Sequence, residues 1–295
     1  MPIGVDFGGT RIKAGLVVDG QVASHASVDT PQSAPAVLDA IAKLVKELEP
    51  APGSVGVCIP GEVDESGRCW RLPNVPGFER VMIGRELMQR LGCPVAVEND
   101  ATAAALAERM YGHGLNQRSF LLVTLGTGTG GGVCLDGTVR RGRHGFAGEI
   151  GHVLVDSSAQ AWPCGCGAKG CMESYAGTAG ILRKFRELGG QATEVAQVAQ
   201  SARKHEAAGL EAMAMVGRAL GLGIASIQNT LDLDAVVFTG GVSASFDLIE
   251  PAIRAALKER AFAKPLAEVQ LLISALGGDA GIIGATLLPQ VMFNE

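Results

Sequence analysis

The stretch IGVDFGGTRIKAGLVVDG, residues 3–20, gives the clearest indication of the fold. An apolar run that ends at Asp6 leads into a glycine turn and then into a second run with alternating apolar positions, which predicts a β-hairpin. The same order of strand, glycine-rich turn and strand returns in SFLLVTLGTGTGGGVCLDG, residues 119–137. This repeat predicts two domains built on one plan.

Strand and helix patterns alternate around the two hairpins. SVGVCIPG and PVAVEND predict buried strands, and the alternation is typical of a layered α/β domain. The predicted helices are residues 34–48, 83–91, a region from 178 to about 231, and 246–260, with a further helix that opens at Asp100 and a closing helix from Asp279. We place the boundary by the repeat, which gives an N-terminal domain of residues 1–115 and a larger C-terminal domain of residues 116–278.

The composition describes a globular protein without the marks of a nucleic-acid binder. Apolar residues make up 47% of the 295 residues, and 25 basic against 30 acidic side chains give a net charge of −5. Affinity for nucleic acid rests largely on basic patches, so this balance argues against such a partner. No signal peptide opens the chain, and no stretch approaches the ~20 apolar residues of a membrane helix. We therefore expect a cytoplasmic protein with no membrane partner.

One histidine and three closely spaced cysteines predict a metal site. His152 is followed, after eleven residues, by Cys164, Cys166 and Cys171. One imidazole and three thiolates complete a tetrahedral Zn²⁺ site with no position open to water, and such closed sites are structural. In an intracellular protein this cluster favours metal binding over disulfides.

Three carboxylates are candidates for the chemistry. Glu149 and Glu173 flank the metal ligands, so either the zinc holds them in place or they are merely solvated. Asp100 stands at the end of a strand and the start of a helix, where α/β proteins place ligands. It could cap that helix, or it could accept the proton of a hydroxyl that attacks phosphorus, which is the role of a general base.

Three glycine turns that follow strands could bind a nucleotide. Their backbone N–H groups can meet phosphates, a strand-end carboxylate can approach a metal ion, and the third turn could meet the base or ribose. The candidate residues are Asp6, Gly8, Gly9 and Thr10 in the first turn, Thr127 and Gly128 in the second, and Gly240 and Gly241 in the third. Neither of the first two turns has Walker A or dinucleotide-motif spacing, and each turn could instead serve packing alone.

Taken in order, DFGGT, ENDA, LGTGTGGG, GEIGH and CGCGAKGCME resemble the ROK family, which comprises repressors, open reading frames and sugar kinases. The resemblance covers essentially the whole chain. It implies an actin-like, ribonuclease-H-like α/β fold of two domains with a ligand cleft between them. It also implies that the closing helix, residues 279–295, completes the N-terminal domain.

The resemblance assigns a role to each candidate residue. Asp100 would be the base that takes the proton of the sugar hydroxyl. The implied sugar-binding residues are Gly61, Asn74, Asn99, Asp100, Glu149, His152 and Glu173. Phosphates and Mg²⁺ would be held by Asp6, Gly8, Gly9, Thr10, Thr127 and Gly128, and the nucleoside would lie near Gly240 and Gly241. Arg11 stands where the family usually has lysine, which keeps the charge at this cofactor-binding position but changes its shape.

The implied activity is the ATP-dependent phosphorylation of a hexose. Glucose, giving glucose 6-phosphate, is the first choice, and N-acetylmannosamine, N-acetylglucosamine and fructose are the alternatives. ATP is preferred over polyphosphate as the donor, and a homodimer or higher homo-oligomer is expected. The family's repressors carry a DNA-binding domain ahead of the kinase-like fold, whereas DFGGT starts at residue 6, so we expect a kinase and not a sugar-sensing regulator.

Overall fold

Strands and helices alternate through the described residues, 2–72 and 75–293, of this computed structural model. The strands are β1 (Ile3–Phe7), β2 (Arg11–Val18), β3 (Gln21–Asp29), β4 (Val55–Ile59), β5 (Glu62–Val63), β6 (Cys69–Arg71), β7 (Val95–Asn99), β8 (Phe120–Leu125), β9 (Thr129–Leu135), β10 (Thr138–Arg140), β11 (Ala235–Thr239) and β12 (Gln270–Ile273). The helices are α1 (Ala34–Leu48), α2 (Ile83–Leu91), α3 (Asp100–Tyr111), α4 (Met172–Ala176), α5 (Thr178–Glu187), α6 (Val195–Arg203), α7 (Ala207–Leu231), α8 (Phe246–Arg260), α9 (Lys264–Ala267) and α10 (Ala280–Phe293). These bounds confirm the helices predicted at 34–48, 83–91 and 246–260.

The chain forms two compact units. Unit 1 comprises Met1–Arg118, Gly132–Gly148 and Ala275–Glu295, and unit 2 comprises Ser119–Gly131 and Glu149–Ser274. Segment 132–148, which the sequence analysis assigned to the C-terminal domain, therefore groups with unit 1. Its contacts give the reason: the Arg109 guanidinium of α3 donates from Nε to the carbonyl of Gly137 over 2.9 Å, and the Gly137 N–H bonds to the Arg118 carbonyl over 2.7 Å.

Unit 1 is built on a five-stranded sheet in the order β3-β2-β1-β4-β7. The hairpin strands pair antiparallel, whereas β1, β4 and β7 are parallel, so these three strands end at one edge. On one face, α1 and α2 cover an apolar core, and on the other face α3 and α10 pack on small side chains. Gly56 permits this second contact, because a Cβ there would lie 1.7 Å from the Ala285 carbonyl oxygen of α10.

Unit 2 places the parallel strands β8, β11 and β12 beside one another. The sheet order is β10-β9-β8-β11-β12, and β9 runs on from unit 2 into unit 1. The region predicted as helical from 178 to about 231 divides into α5, α6 and α7. By length and composition α7 could cross a membrane, but 56% of its most apolar stretch is buried. It packs against α8, α6 and α4, as a core helix does.

Candidate active site

Polar side chains cross the sheet of unit 1 at the edge where its parallel strands end. The register pairs Asp6 of β1 with Lys13 of β2 on one side and with Cys58 of β4 on the other, and Cys58 is paired in turn with Glu98 of β7. Residues paired in this way point to the same face of a sheet. We call Lys13, Asp6, Cys58 and Glu98 the strand-end row. Its position matches the edge at which open α/β sheets bind ligands.

Asp6 is held tightly within this row. The Cys58 sulfur lies 3.7 Å from the Asp6 carboxylate and 3.5 Å from the carbonyl oxygen of Gly281, in the first turn of α10. A Cβ on Gly281 would lie 3.0 Å from Asp6 Cγ, so any larger residue there would displace the Asp6 side chain. Burial raises the pKa of Asp6, while the charge of Lys13 and the Cys58 thiol act in the opposite direction. The N-terminal end of α10 also favours a negative charge there.

The first glycine turn follows Asp6 after one residue, Phe7. The Gly8 N–H bonds to the Arg11 carbonyl over 3.0 Å, and the Thr30 hydroxyl donates to the Gly8 carbonyl over 2.7 Å. Gly9 and Thr10 lie at the tip of this turn. The Arg11 guanidinium pairs instead with Asp29 over 2.8 Å, and both side chains are largely exposed. The basic side chain paired with Asp6 in the sheet is therefore Lys13.

The junction of β7 and α3 shows which residue caps the helix that begins at Asp100. Asn99 is the N-cap of α3: its side-chain oxygen accepts from the N–H groups of Ala101 over 2.9 Å and Thr102 over 3.2 Å. Its Nδ2 donates to the Gly61 carbonyl over 3.3 Å. Asp100 is the first residue of the helix and is half-buried, with one oxygen 2.8 Å from the Ala101 nitrogen. Asn99 is therefore the N-cap residue, and Asp100 shares the Ala101 N–H with it.

Gly61 joins this junction to the loop after β4. A Cβ there would lie 2.5 Å from the Arg71 carbonyl oxygen, so the loop passes close to the end of the β5–β6 hairpin. Asn74, the other predicted contact from this region, lies outside the described residues. Within the described part of the chain, Gly61, Asn99 and Asp100 are brought together at the end of β7.

The four predicted metal ligands meet in unit 2. One ligand atom from each of His152, Cys164, Cys166 and Cys171 lies within 4.8 Å of all the others. His152 Nδ1 is 3.6 Å from the Cys164 sulfur, and the sulfurs of Cys166 and Cys171 are 3.8 Å apart. Ligands at zinc bond lengths in a tetrahedron stand about 3.6 Å apart for nitrogen and sulfur and about 3.8 Å apart for two sulfurs. The donor set and spacing therefore fit a tetrahedral zinc ion.

Glu149 and Glu173 both contact this cluster. His152 Nε2 lies 3.9 Å from a Glu149 oxygen, so the two ring nitrogens face different partners. Glu173, in the first turn of α4, accepts from the Thr129 N–H over 3.1 Å, and its other oxygen is 3.9 Å from the Cys164 sulfur. These contacts set aside the alternative that Glu173 is merely solvated. They tie this carboxylate to both the cluster and the second glycine turn.

The second and third glycine turns end neighbouring strands. Thr127 and Gly128 follow β8, and a Cβ on Gly128 would lie 2.3 Å from a Glu173 oxygen. Gly240 follows the parallel strand β11 with a φ of +93°, a conformation that favours glycine. Nothing lies within 4 Å of a Cβ built on Gly241, so its backbone faces open space. Unit 2 thus presents two glycine turns at one sheet edge.

A model of the ROK family matches residues 2–291. The chain belongs to the ROK family. It is 32% identical to a glucokinase of Streptomyces coelicolor, with 97% of this chain and 96% of that protein covered. An N-acetyl-D-glucosamine kinase of Pasteurella multocida is 30% identical (98% and 99% covered), and a xylose repressor of Bacillus subtilis is 27% identical (96% and 74% covered).

A ROK structure shows the same fold. The glucokinase of Streptomyces griseus, solved with glucose and AMPPNP, superposes with a TM-score of 0.84 at 33% identity and covers 98% of this chain and 99% of its own. The predicted actin-like α/β ATPase fold is confirmed.

Several members of this ROK site escaped the sequence analysis. Cys58, Glu98 and Gly281 make direct contacts beside Asp6 or Asn99, yet none was assigned a role. Glu98 carried the one available signal, since it is an acidic residue at the end of an otherwise apolar strand and directly precedes Asn99. Gly281 had no such signal, because its neighbour in space is 275 positions away in the chain.

Proposed function

We propose that this ROK protein transfers the terminal phosphoryl group of ATP to a hexose. Glucose is the preferred substrate, and glucose 6-phosphate is the product. The chain is an ATP-dependent sugar kinase, because it matches ROK kinases over nearly their whole length. The observation that carries the mechanism is the β7–α3 junction, where Asn99 is the N-cap of the helix and the half-buried carboxylate of Asp100 lies on its first residue.

Asp100 is the general base of the proposed reaction. As the sugar hydroxyl attacks phosphorus, its proton passes to the Asp100 carboxylate, a role that commonly accounts for about 10²–10⁴ in rate. Gly61, Asn74 and Asn99 of unit 1 and Glu149, His152 and Glu173 of unit 2 are proposed to bind sugar hydroxyls. Holding the hydroxyl in place supplies a further part of the rate.

Asp6 is the proposed Mg²⁺ and phosphate residue of unit 1. Its carboxylate is the ligand type that Mg²⁺ prefers, and only Phe7 separates it from the glycine turn with Gly8, Gly9 and Thr10. Bound Mg²⁺ neutralises charge on the transferred phosphoryl group. In unit 2, Thr127, Gly128, Gly240 and Gly241 are proposed to bind the rest of the nucleotide. Arg11 is a weaker candidate for cofactor binding, because its guanidinium pairs with Asp29.

Zinc is the proposed occupant of the Cys/His cluster, and its role is structural. All four protein ligands are supplied, which leaves no position for a catalytic water. The zinc would fix His152 through Nδ1 and so orient Nε2 beside Glu149. Unit 2 would then present His152, Glu149 and Glu173 in one arrangement.

Glucose is preferred because this set of hydrogen-bonding side chains suits a ring with free equatorial hydroxyls. The N-acetylglucosamine kinase relative keeps N-acetylated sugars as the second candidate. We place the enzyme in the cytoplasm because none of its seven cysteines forms a disulfide, as in reducing compartments, and we propose a homodimer or higher homo-oligomer.

An ADP-release assay with ATP and Mg²⁺ tests the proposal against glucose, mannose, fructose, N-acetylglucosamine and N-acetylmannosamine. We expect the highest kcat/KM with glucose. Preference for an N-acetylated sugar would replace glucose but keep the kinase. No turnover on the whole panel, by protein shown to contain zinc and to bind a sugar, would favour a sugar-sensing regulator instead.

A further inference from the structure

Glu98 is a buried carboxylate that the proposed reaction does not use. Its side chain is 1% exposed, so it cannot touch a substrate. One carboxylate oxygen accepts the Asn99 N–H over 2.7 Å, and the other accepts Nε of Arg141 in a short hydrogen-bonded ion pair. Both oxygens therefore already serve as acceptors, and each bond leads to a different part of unit 1.

The bond to Asn99 leads to the base. Asn99 caps α3 and holds Gly61, and Asp100 is the next residue along the chain. A change in the position of the Glu98 carboxylate thus moves the first turn of α3, with only one residue between Glu98 and Asp100.

The bond to Arg141 leads to the loop that follows β10. The Arg141 carbonyl accepts the Ala147 N–H over 3.0 Å and closes this loop on itself. The Arg141 side chain is 25% exposed, and its Nη2 is buried without a hydrogen-bond partner among the described residues. A cavity of about 20 Å³ beside the pair has room for about one water molecule.

Because the Glu98 side chain is buried, its carboxylate depends on the ion pair with Arg141. Burial raises the pKa of Glu98, and the charge of Arg141, the Asn99 N–H and the Arg141 hydrogen bond act against that rise. Removing one partner would leave a buried charge uncompensated, whereas removing both would not. A fixed carboxylate also gives the Asn99 N–H a stronger acceptor than a neutral group would.

We propose that Glu98 and Arg141 form a positioning pair that holds Asn99 and Asp100 in their working places and anchors the loop 141–147 to the same point. The proposal rests on the proposed role of Asp100 as the base. Glu98 and Arg141 are positioning residues, because they act through the β7–α3 junction and not on the substrate.

The test compares Glu98→Gln, Arg141→Gln and the double variant with the control Arg90→Gln. Arg90 forms an ion pair with Asp39 and Glu86 over 2.9 Å, and its side chain is 26% exposed, which closely matches Arg141. We expect each single variant to lower kcat about 10- to 100-fold, as small misplacements of catalytic groups do, with the KM for ATP within about twofold of wild type. Arg90→Gln should leave kcat unchanged.

The double variant separates positioning from stability. Each single variant should lower the thermal midpoint, because one buried charge remains. The double variant should recover that midpoint but not kcat. Recovery of kcat together with the midpoint, or single variants with normal kcat, would show that the pair acts on stability alone. If the Gln variants do not fold, Arg141→Lys keeps the charge but loses the guanidinium geometry, and it should still lower kcat.

Amide hydrogen exchange gives a readout that does not depend on activity. Peptides that span residues 96–104 and 141–147 should exchange faster in Glu98→Gln and Arg141→Lys, and at wild-type rates in Arg90→Gln. Unchanged exchange in these peptides would overturn the positioning role. Absence of turnover by the wild-type protein would instead overturn the proposed function, and the exchange data would still decide the role of the pair.

Discussion

In unit 1 the carboxylates of Asp6 and Asp100 stand at the ends of strands, whereas in unit 2 those of Glu149 and Glu173 stand beside a cluster of four metal-ligating side chains. Backbone pairing between parallel strands brings Asp6 and Glu98 into one row. Unit 2 has little regular structure at its cluster, because Glu173 lies on a helix of five residues and the ligands lie mostly on turns.

The two units therefore hold their carboxylates in place by different means. Unit 1 holds its acidic groups through sheet register and hydrogen bonds, which arise when the chain folds. The loops of unit 2 carry the four ligands of the proposed zinc ion, and binding of that ion would contribute to their folding free energy. Changes to the metal should therefore alter the groups of unit 2 and leave those of unit 1 in place.

The largest effect is expected at Asp100. Asp100→Ala removes the proposed base and should lower kcat by about 10²–10⁴, with a smaller change in sugar binding. Steady-state kinetics and sugar titration measure the two effects. Asp39→Ala, at a carboxylate with a 70% exposed side chain, is the control and should keep kcat. A near-normal kcat in Asp100→Ala would remove this residue from the mechanism.

Loss of the metal should act mainly on the sugar. Cys166→Ser, or treatment with a chelator, should loosen Glu149 and Glu173. Losing one hydrogen bond to a charged group costs about 1.5–3 kcal/mol, or roughly 10- to 150-fold in sugar KM. Cys93→Ser changes a cysteine of unit 1 that lies away from the cluster and should leave the sugar KM near the wild-type value.

Elemental analysis of freshly purified protein tests whether unit 2 holds a metal ion. One zinc per chain is expected. Protein that has full activity and contains no zinc would show that the loops of unit 2 are ordered without a metal ion.

A smaller effect is expected where α10 meets Asp6. Gly281→Ala places a methyl group 3.0–3.2 Å from the Asp6 carboxyl group, which forces a shift of that side chain. Overpacking of this kind costs about 1–3 kcal/mol of stability. The KM for ATP-Mg²⁺ should rise several-fold, with sugar binding unchanged. Gly278→Ala, three residues earlier with nothing within 4 Å, is the control. Equal KM values in both variants would argue against contact between Asp6 and the phosphates.

The smallest expected effect is a pH-dependent change in thermal stability at Asp6 and Asp156. Burial raises the pKa of Asp6 above its ordinary 3.8, so the ionised carboxylate destabilises the folded state increasingly as pH rises above 3.8. Hydrogen bonds from Tyr175 and Ser158 lower the pKa of Asp156, so its stabilising contribution is present above 3.8 and is lost as pH falls through the lowered value. Asp6→Asn should therefore raise the thermal midpoint at pH 7, and Asp156→Asn should lower it.

Both differences from wild type should shrink as the pH approaches 3.5. Thermal melts at several pH values measure them. A decrease in the midpoint of Asp6→Asn at pH 7 would show that hydrogen bonds to the Asp6 carboxylate outweigh the effect of burial.

Local patterns predicted much of the fold and the metal cluster. Helical spacing located α1, α2 and α8. The short intervals between Cys164, Cys166 and Cys171 predicted that these side chains lie close together. The roles at the β7–α3 junction were harder to predict, because Asn99 and Asp100 are both good capping residues and only the backbone decides which one caps. The partners Arg141 and Gly281 could not be predicted, since each reaches its contact through the tertiary fold.

The close fit of α10 on Gly56 bears on how the chain is made. This helix covers one face of the sheet that contains β1, yet the ribosome synthesises it after all of unit 2. Nascent unit 1 therefore exposes that sheet face until α10 emerges, while residues 149–274 are already available to fold. At translation rates of about 5–20 residues per second, the interval from β4 to α10 lasts roughly 10–50 seconds, during which this face is a natural binding surface for a chaperone.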